Sequence, residues 1–267
     1  MINLNELKIE YRPFPHGTFS NVFDENVYKK IVREFPSPPI LGTRDHFGGK
    51  LYISEQPNVK AEFFDILSKS TVYTQLYEYI KSKIFLQQLL DKLNEENIDV
   101  QNTSQQILSL SRFSNLYFFK KNLLKLKLKL INTSYVTARF EFSFISLDGV
   151  ACLRPHTDSP QKILSLVVPI LSDYEKEHYK ELGLGTSIYD VKNDRNYFNQ
   201  KNKFLDRNDV REISRMPFKS NTMTLLVKTF NSLHGIEPNL FNFKSHYRRS
   251  LTINLEVINR NQGSNLL

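Results

Sequence analysis

The chain contains one cysteine, Cys152, among 267 residues. That excludes an internal disulfide framework and any zinc or iron–sulfur site built from cysteines. Thiol chemistry would rest on Cys152 alone, and its VACL context reads as a strand with a small core side chain. Glycine is scarce too, at nine residues, and none falls in G-x-S-x-G, G-x-x-x-x-G-K-[ST] or G-x-G-x-x-G. The serine-hydrolase elbow, the P-loop and the dinucleotide fingerprint are therefore missing. No segment offers eighteen consecutive apolar residues, and MINLNELKIEYRPF has no apolar run fit for a signal peptide. The expectation is a soluble, cytoplasmic protein with no membrane partner.

Hydrophobic residues make up 40% of the chain and charged residues 24%, which places it in the globular class. The net charge is +8, but Lys120, Lys121, Lys125, Lys127 and Lys129 supply much of the surplus locally. Such a surplus suits nucleic acid, an anionic surface or an anionic small molecule, and selects none of them. The lysines of LLKLKLKLI alternate with apolar residues. With no aromatics interleaved, the segment reads as an edge strand with one wet face, not a nucleic-acid stripe.

Helical periodicity comes first along the chain. Phe23, Val27, Ile31 and Phe35 form one stripe, with Asp24 near its start and Lys29, Lys30 and Arg33 later, as the helix dipole prefers. Residues 59–95 continue the helical pattern, and 103–110 reads as a short helix. Strand patterns follow from residue 123. In 137–147, Phe140, Phe142 and Phe144 share one face, and Arg139, Glu141 and Ser143 the other. Residues 163–171, 185–191, 222–230 and 248–257 are further strand candidates, and 192–218 reads as a long loop with a short helix. Helices followed by about eight strands predict an α+β domain built on a double-sheet barrel or jelly roll.

The chemistry concentrates in LRPHTDSP. His156 and Asp158 are two residues apart, which on an extended chain puts both side chains on one face. A second histidine, His234, lies 76 residues after Asp158. Two histidines and one carboxylate make the facial triad of non-haem Fe(II) sites. Arg248 follows His234 by 14 residues and opens RRSLTINLEV, where Arg248, Ser250 and Thr252 share a face. A guanidinium flanked by two hydroxyls suits a carboxylate, though without the triad Arg248 reads first as the cap of a barrel end through a structural ion pair.

Together, His156-Thr157-Asp158, His234 and Arg248-x-Ser250 resemble the Fe(II)- and 2-oxoglutarate-dependent oxygenases, nearest the prolyl-hydroxylase-like branch. PFPHGTFSNVFDENVYKKIVREFP resembles the strand–helix opening common there. The resemblance spans residues 10–40 and 137–257. It implies a double-stranded β-helix (jelly-roll, cupin-like) core with the N-terminal helices packed on it. The chain would then be a single domain over 1–267. Residues 1–122 would be mainly helical support, and 123–260 the core with an inserted loop at 192–218. It further implies that His156, Asp158 and His234 ligate Fe(II). Arg248 would bind the distal carboxylate of 2-oxoglutarate, assisted by Ser250 and Thr252, and O2 would complete the set.

Asp158 stands where halogenating members carry a small residue, which implies hydroxylation. Asn254 stands where nucleic-acid-demethylating members carry a second arginine, which disfavours nucleic acid as a partner. A tyrosine that often helps to bind 2-oxoglutarate is not obvious; Ser143, Ser165 and Tyr189 are the alternatives. Arg139, Arg154 and Lys162 are candidate substrate contacts, implying a small anionic substrate such as an amino acid or a phosphorylated or acidic sugar. Gly42–Lys50, with Arg44 and His46, and residues 192–218 are candidate lids. A peptide or protein hydroxylase ranks second, and a non-enzymatic jelly-roll binding module third. The oligomeric state is left open.

Overall fold

The structure is a computed structural model that describes residues 1–38, 49–98, 135–179, 182–193, 195, 197–199 and 201–258. The lysine-alternating segment, the short helix expected at 103–110, most of the first candidate lid (Arg44 and His46 included) and the Cys152 side chain lie outside the described residues.

The first helix, α1 (Glu25–Arg33), forms where the sequence places its caps. Asp24 accepts hydrogen bonds from the backbone N–H groups of Asn26 and Val27, Glu25 sits in the first turn, and Lys30 and Arg33 sit in the last. Ile31 is buried as expected, together with Tyr28, which the apolar stripe had omitted. Residues 59–95 break into α2 (Lys60–Lys69), α3 (Thr71–Ile80) and α4 (Lys83–Glu95). The breaks fall at serines: Ser70 caps α3 through the Tyr73 N–H, and Ser82 caps α4 through the Phe85 N–H.

Two long strands organise the rest. They are β4 (Tyr135–His156) and β9 (His234–Ile258), antiparallel partners from Tyr135↔Ile258 to His156↔His234. The remaining strands are β1 (Leu7–Glu10), β2 (His16–Ser20), β3 (Lys50–Ser54), β5 (Lys162–Ile170), β6 (Thr186–Val191), β7 (Val210–Met216) and β8 (Thr222–Val227). A short helix, α5 (Asp173–His178), follows β5. The main branch of the sheet runs β1-β2-β8-β5-β9-β4-β3. A second branch starts at the other end of β9, where His234 pairs with Ile188 of β6, and β6 pairs with β7. The protein is thus a mixed helical and antiparallel-sheet structure, as the sequence predicted.

The loop expected over 192–218 contains β7, a departure with a simple cause. Only Val210 and Met216, its two ends, are buried, and Arg211 to Arg215 lack apolar alternation because β7 pairs with β6 alone. The short strands β1, β2 and β3 were also not read individually; four or five residues give periodicity little room.

The face of β4 that carries the phenylalanines lies under the helices. Tyr73 of α3 meets Phe142 edge-on at 4.9 Å between ring centroids, and Phe63 of α2 approaches both Phe140 and Phe142. Such edge contacts add about 0.5–1.5 kcal/mol each beyond their burial. The same alternation sends Arg139, Glu141 and Ser143 to the opposite face, which lines a cavity.

Candidate metal centre and cavity

The cavity holds about 250 Å3 and is lined from both branches of the sheet: Ser143, Ser165, Arg248 and Thr252 from one, His156 and His234 from the other. His156 is the last residue of β4 and His234 the first of β9, and they face each other as a cross-strand pair with ring centroids 4.5 Å apart. Two residues distant in sequence are therefore neighbours because the longest strand pair ends there.

Asp158 joins them by a different route from the one the sequence suggested. The strand stops at His156, and Asp158 has a φ of 69°, in the left-handed region that asparagine and aspartate tolerate best among non-glycine residues. A turn brings the carboxylate under the imidazoles, where an extended chain was expected. Asp158 Oδ1 lies 3.8 Å from His156 Nε2, and Oδ2 lies 3.7 Å from His234 Nε2. One ligand atom from each of the three residues falls within 4.8 Å of the others, so the cluster could hold a metal ion.

The histidines are also in the required chemical form. His156 Nδ1 is 2.9 Å from the Arg154 carbonyl, and His234 Nδ1 is 2.9 Å from the Ser232 carbonyl. A carbonyl only accepts, so Nδ1 carries the proton in each ring and Nε2 keeps its lone pair. Burial depresses both imidazoles, taking His156 down to about 3, so both are neutral near pH 7. Burial alone would raise the Asp158 carboxyl; the Lys162 ammonium, 2.7 Å from Oδ1, holds it well below its ordinary range. Two neutral imidazoles and one carboxylate fit a divalent ion such as Fe(II).

Ser165 and Asn254 support the carboxylate, a role that sequence reading did not assign. Ser165 Oγ lies 3.0 Å from Asp158 Oδ2 and 2.9 Å from Asn254 Oδ1, while Asn254 Nδ2 is buried with no partner among the described residues. One hydroxyl proton cannot serve two oxygens. With the Asn254 amide turned over, its NH2 donates to Ser165 and the hydroxyl donates to Asp158. Ser165→Ala is expected to weaken divalent-metal affinity about 10- to 100-fold, the usual cost of losing an outer hydrogen bond to a ligand. Calorimetric metal titration would show it; unchanged affinity would remove Ser165 from the site.

Gly235 sets how closely β9 approaches β4 behind His234. A Cβ at this position would stand 2.5 Å from the Leu153 carbonyl oxygen, which is backbone and cannot swing away. Gly235→Ala is expected to cost about 1–3 kcal/mol of stability, as overpacking does, and to loosen metal binding. Urea denaturation checks the first effect, and a mutant as stable as wild type would contradict it.

Arg248 lines the same cavity and is 5% exposed. Its Nε donates to the Leu184 carbonyl at 2.7 Å, and the guanidinium lies 4.3 Å from the Phe218 ring centroid. Among the described residues no carboxylate pairs with it, and burial pulls it down to about 9. The other cavity cations are engaged: Lys50 with Glu141, Arg139 with Glu141 and Glu256, and Lys162 with Asp158. Ser250 and Thr252 line the wall between Arg248 and this charged corner, and Thr252 Oγ1 is 3.2 Å from Ser143 Oγ.

Of the candidate substrate contacts, Arg139 and Lys162 line the cavity. Arg154 is absent from the lining: it is exposed and lies over Phe204, 5.0 Å from the ring centroid. Tyr189 is also absent from the lining, its hydroxyl donating to Glu237. The first candidate lid ended at Lys50, which lines the cavity; Tyr52 and Gln56, which continue that wall, were not expected there. The alternation of KLYIS, with Leu51 and Ile53 buried, was the available signal.

Among the described residues, no helix is long and apolar enough to cross a membrane. No protein-family model matches the chain, and no curated protein is significantly similar to it. Solved structures do show similarity. A Pseudomonas putida prolyl-4-hydroxylase matches at 11% identity and a TM-score of 0.44, over 90% of this chain and 92% of that one. A Trichoplax adhaerens prolyl hydroxylase, solved in complex with a hypoxia inducible factor oxygen degradation domain peptide fragment, matches at 7% identity and a TM-score of 0.40, over 94% and 85% of the two chains. IDO from Bacillus thuringiensis matches at 10% identity and a TM-score of 0.40, over 90% and 92%.

Proposed function

We propose that this chain is an Fe(II)- and 2-oxoglutarate-dependent oxygenase that hydroxylates a small molecule. The observation that carries the reading is one cavity holding both a tautomer-fixed His156–Asp158–His234 cluster and a buried arginine with no described carboxylate partner. His156, Asp158 and His234 would hold the ion with three protein ligands, and a site of that ligand number would leave room for a chelating co-substrate and O2. Arg248, with Ser250 and Thr252 on the same strip of β9, would receive the distal carboxylate of 2-oxoglutarate. We read the two sheet branches sharing β4 and β9 as a double-stranded β-helix.

When bound, iron and 2-oxoglutarate would supply the oxidising power, with succinate and CO2 as co-products. The chain's own residues do the rest. The Arg154 and Ser232 carbonyls fix the imidazole tautomers, and Lys162 and Ser165 hold the carboxylate in place. The Phe218 face and the Leu184 carbonyl position the guanidinium before any ligand arrives. The cavity, about 250 Å3, is of a size to take a metabolite.

The test is succinate formation, followed by mass spectrometry, from purified chain with Fe(II), 2-oxoglutarate, O2 and a metabolite panel. Succinate above the level of a His156→Ala control supports the reading. No succinate above that control, with or without panel compounds, would overturn it.

A further inference from the structure

We propose that Lys228 is a positioning residue of the metal centre: its ammonium holds Thr157, the residue between two of the ligands, and so fixes where Asp158 stands relative to His234. The proposal rests on the metal reading of the triad and concerns a residue outside the cavity lining.

Lys228 sits where a lysine is costly. It is 6% exposed, and among the described residues no carboxylate forms an ion pair with it. Its Nζ donates to Thr157 Oγ1 at 2.9 Å. Burial pulls the ammonium down to about 8 while the Asp158 charge opposes the shift, so the group stays largely protonated at pH 7. The strand before it, β8, is buried at every residue, and an apolar side chain would continue that packing at no electrostatic cost. Stability alone therefore explains this lysine poorly.

Its contacts explain it better. Lys228 is the first residue after β8, and its backbone N–H donates to the Ile163 carbonyl of β5 at 2.8 Å. From that fixed point the side chain reaches Thr157, which is fully buried. Thr157 Oγ1 accepts from Lys228 and donates to the Asn199 carbonyl. The Asn199 N–H donates in turn to the Phe230 carbonyl at 2.7 Å. Phe230 lies two residues beyond Lys228, so these bonds close a ring. The ring joins the turn that carries Asp158 to the connection that leads from β8 into His234. Asp158, with its φ of 69°, has a backbone conformation that persists in a non-glycine residue only where the surroundings hold it. Lys162 and Ser165 hold its carboxylate; Lys228 holds its backbone through the residue before it.

The sign of the effect separates this role from simple electrostatics. By charge alone, an ammonium behind the triad opposes a divalent ion, and removing it would tighten metal binding. Removing a positioning residue weakens it.

The test is anaerobic calorimetric titration of the full chain with Fe(II), paired with urea denaturation of the same samples without metal. Lys228→Met keeps the side-chain length and removes the ammonium. It should weaken Fe(II) affinity about tenfold or more, as loss of an outer hydrogen bond does. The metal-free variant should be at least as stable as wild type, because Thr157 still donates to Asn199 and a buried unpaired charge is gone. Thr157→Val removes the acceptor, leaves the ammonium in place and should weaken Fe(II) binding as well. The double variant should fall within about twofold of the weaker single one, since both changes break the same bond. Unchanged or raised Fe(II) affinity in Lys228→Met would overturn the proposal, and so would additive losses in the double variant. A Lys228→Met chain that unfolds or loses stability would assign the lysine to the fold and overturn it too. If wild type binds Fe(II) and the variants match it, only this proposal falls. If wild type binds none, the metal reading falls and takes this one with it.

Discussion

Arg248→Ala is expected to weaken 2-oxoglutarate binding about 30- to 5000-fold while leaving Fe(II) affinity unchanged. The range is the roughly 2–5 kcal/mol cost of truncating one partner of a buried charge pair. It applies because Arg248 is 5% exposed and, among the described residues, pairs with no carboxylate, so the carboxylate of a ligand would be its ionic partner. A companion variant separates binding from scaffolding. Arg248→Met keeps the length of the side chain and removes a buried, unpaired charge. The ligand-free protein should then be at least as stable as wild type, by about 1 kcal/mol or more, while 2-oxoglutarate no longer raises its melting temperature. The Phe218 contact and the Leu184 hydrogen bond offset part of that gain. A Met variant that unfolds, or one still stabilised by 2-oxoglutarate, would show that Arg248 serves the fold and not the ligand.

The second large effect concerns the triad. Alanine at His156, Asp158 or His234 should each lower divalent-metal affinity by more than the roughly 10- to 100-fold expected for an outer hydrogen bond. The three are expected to be equivalent in kind, because each supplies one atom to a cluster spanning 4.8 Å. Asp158→Ala carries a further consequence. It leaves the Lys162 ammonium facing two imidazoles without its carboxylate, so the metal-free fold should also lose stability. Calorimetric metal titration and urea denaturation of the same samples separate the two effects. Metal affinity retained in any one variant would remove that residue from the site.

The residues that carry this account were legible because each is of a rare type in a regular pattern. His156, Asp158 and His234 drew attention by chemistry, and Arg248 by its place on a period-two strip. The phenylalanines of β4 announced which face would be covered, and Tyr73 and Phe63 cover it. What was not legible depends on pairing. The reason His156 and His234 meet is that they end the longest antiparallel ladder, and no local window contains that fact. The Asp158 turn was misjudged because its left-handed backbone breaks the extended geometry assumed for H-x-D. Arg139 and Lys162 looked like free cations because their carboxylate partners, Glu256 and Asp158, are identified only once register is known or a turn is folded. The Ser165–Asn254 support is invisible for the same reason, since it joins two strands 89 positions apart.

The most direct test of the central claim is an anaerobic titration of the chain with Fe(II) and 2-oxoglutarate, watching for the weak visible charge-transfer band of the chelate. The band should appear in wild type at one equivalent of each. It should be absent in His156→Ala, and in Arg248→Ala it should require far higher 2-oxoglutarate. No band in wild type, with Fe(II) also failing to bind, would contradict the account and leave His156, Asp158 and His234 as a buried polar cluster without a metal.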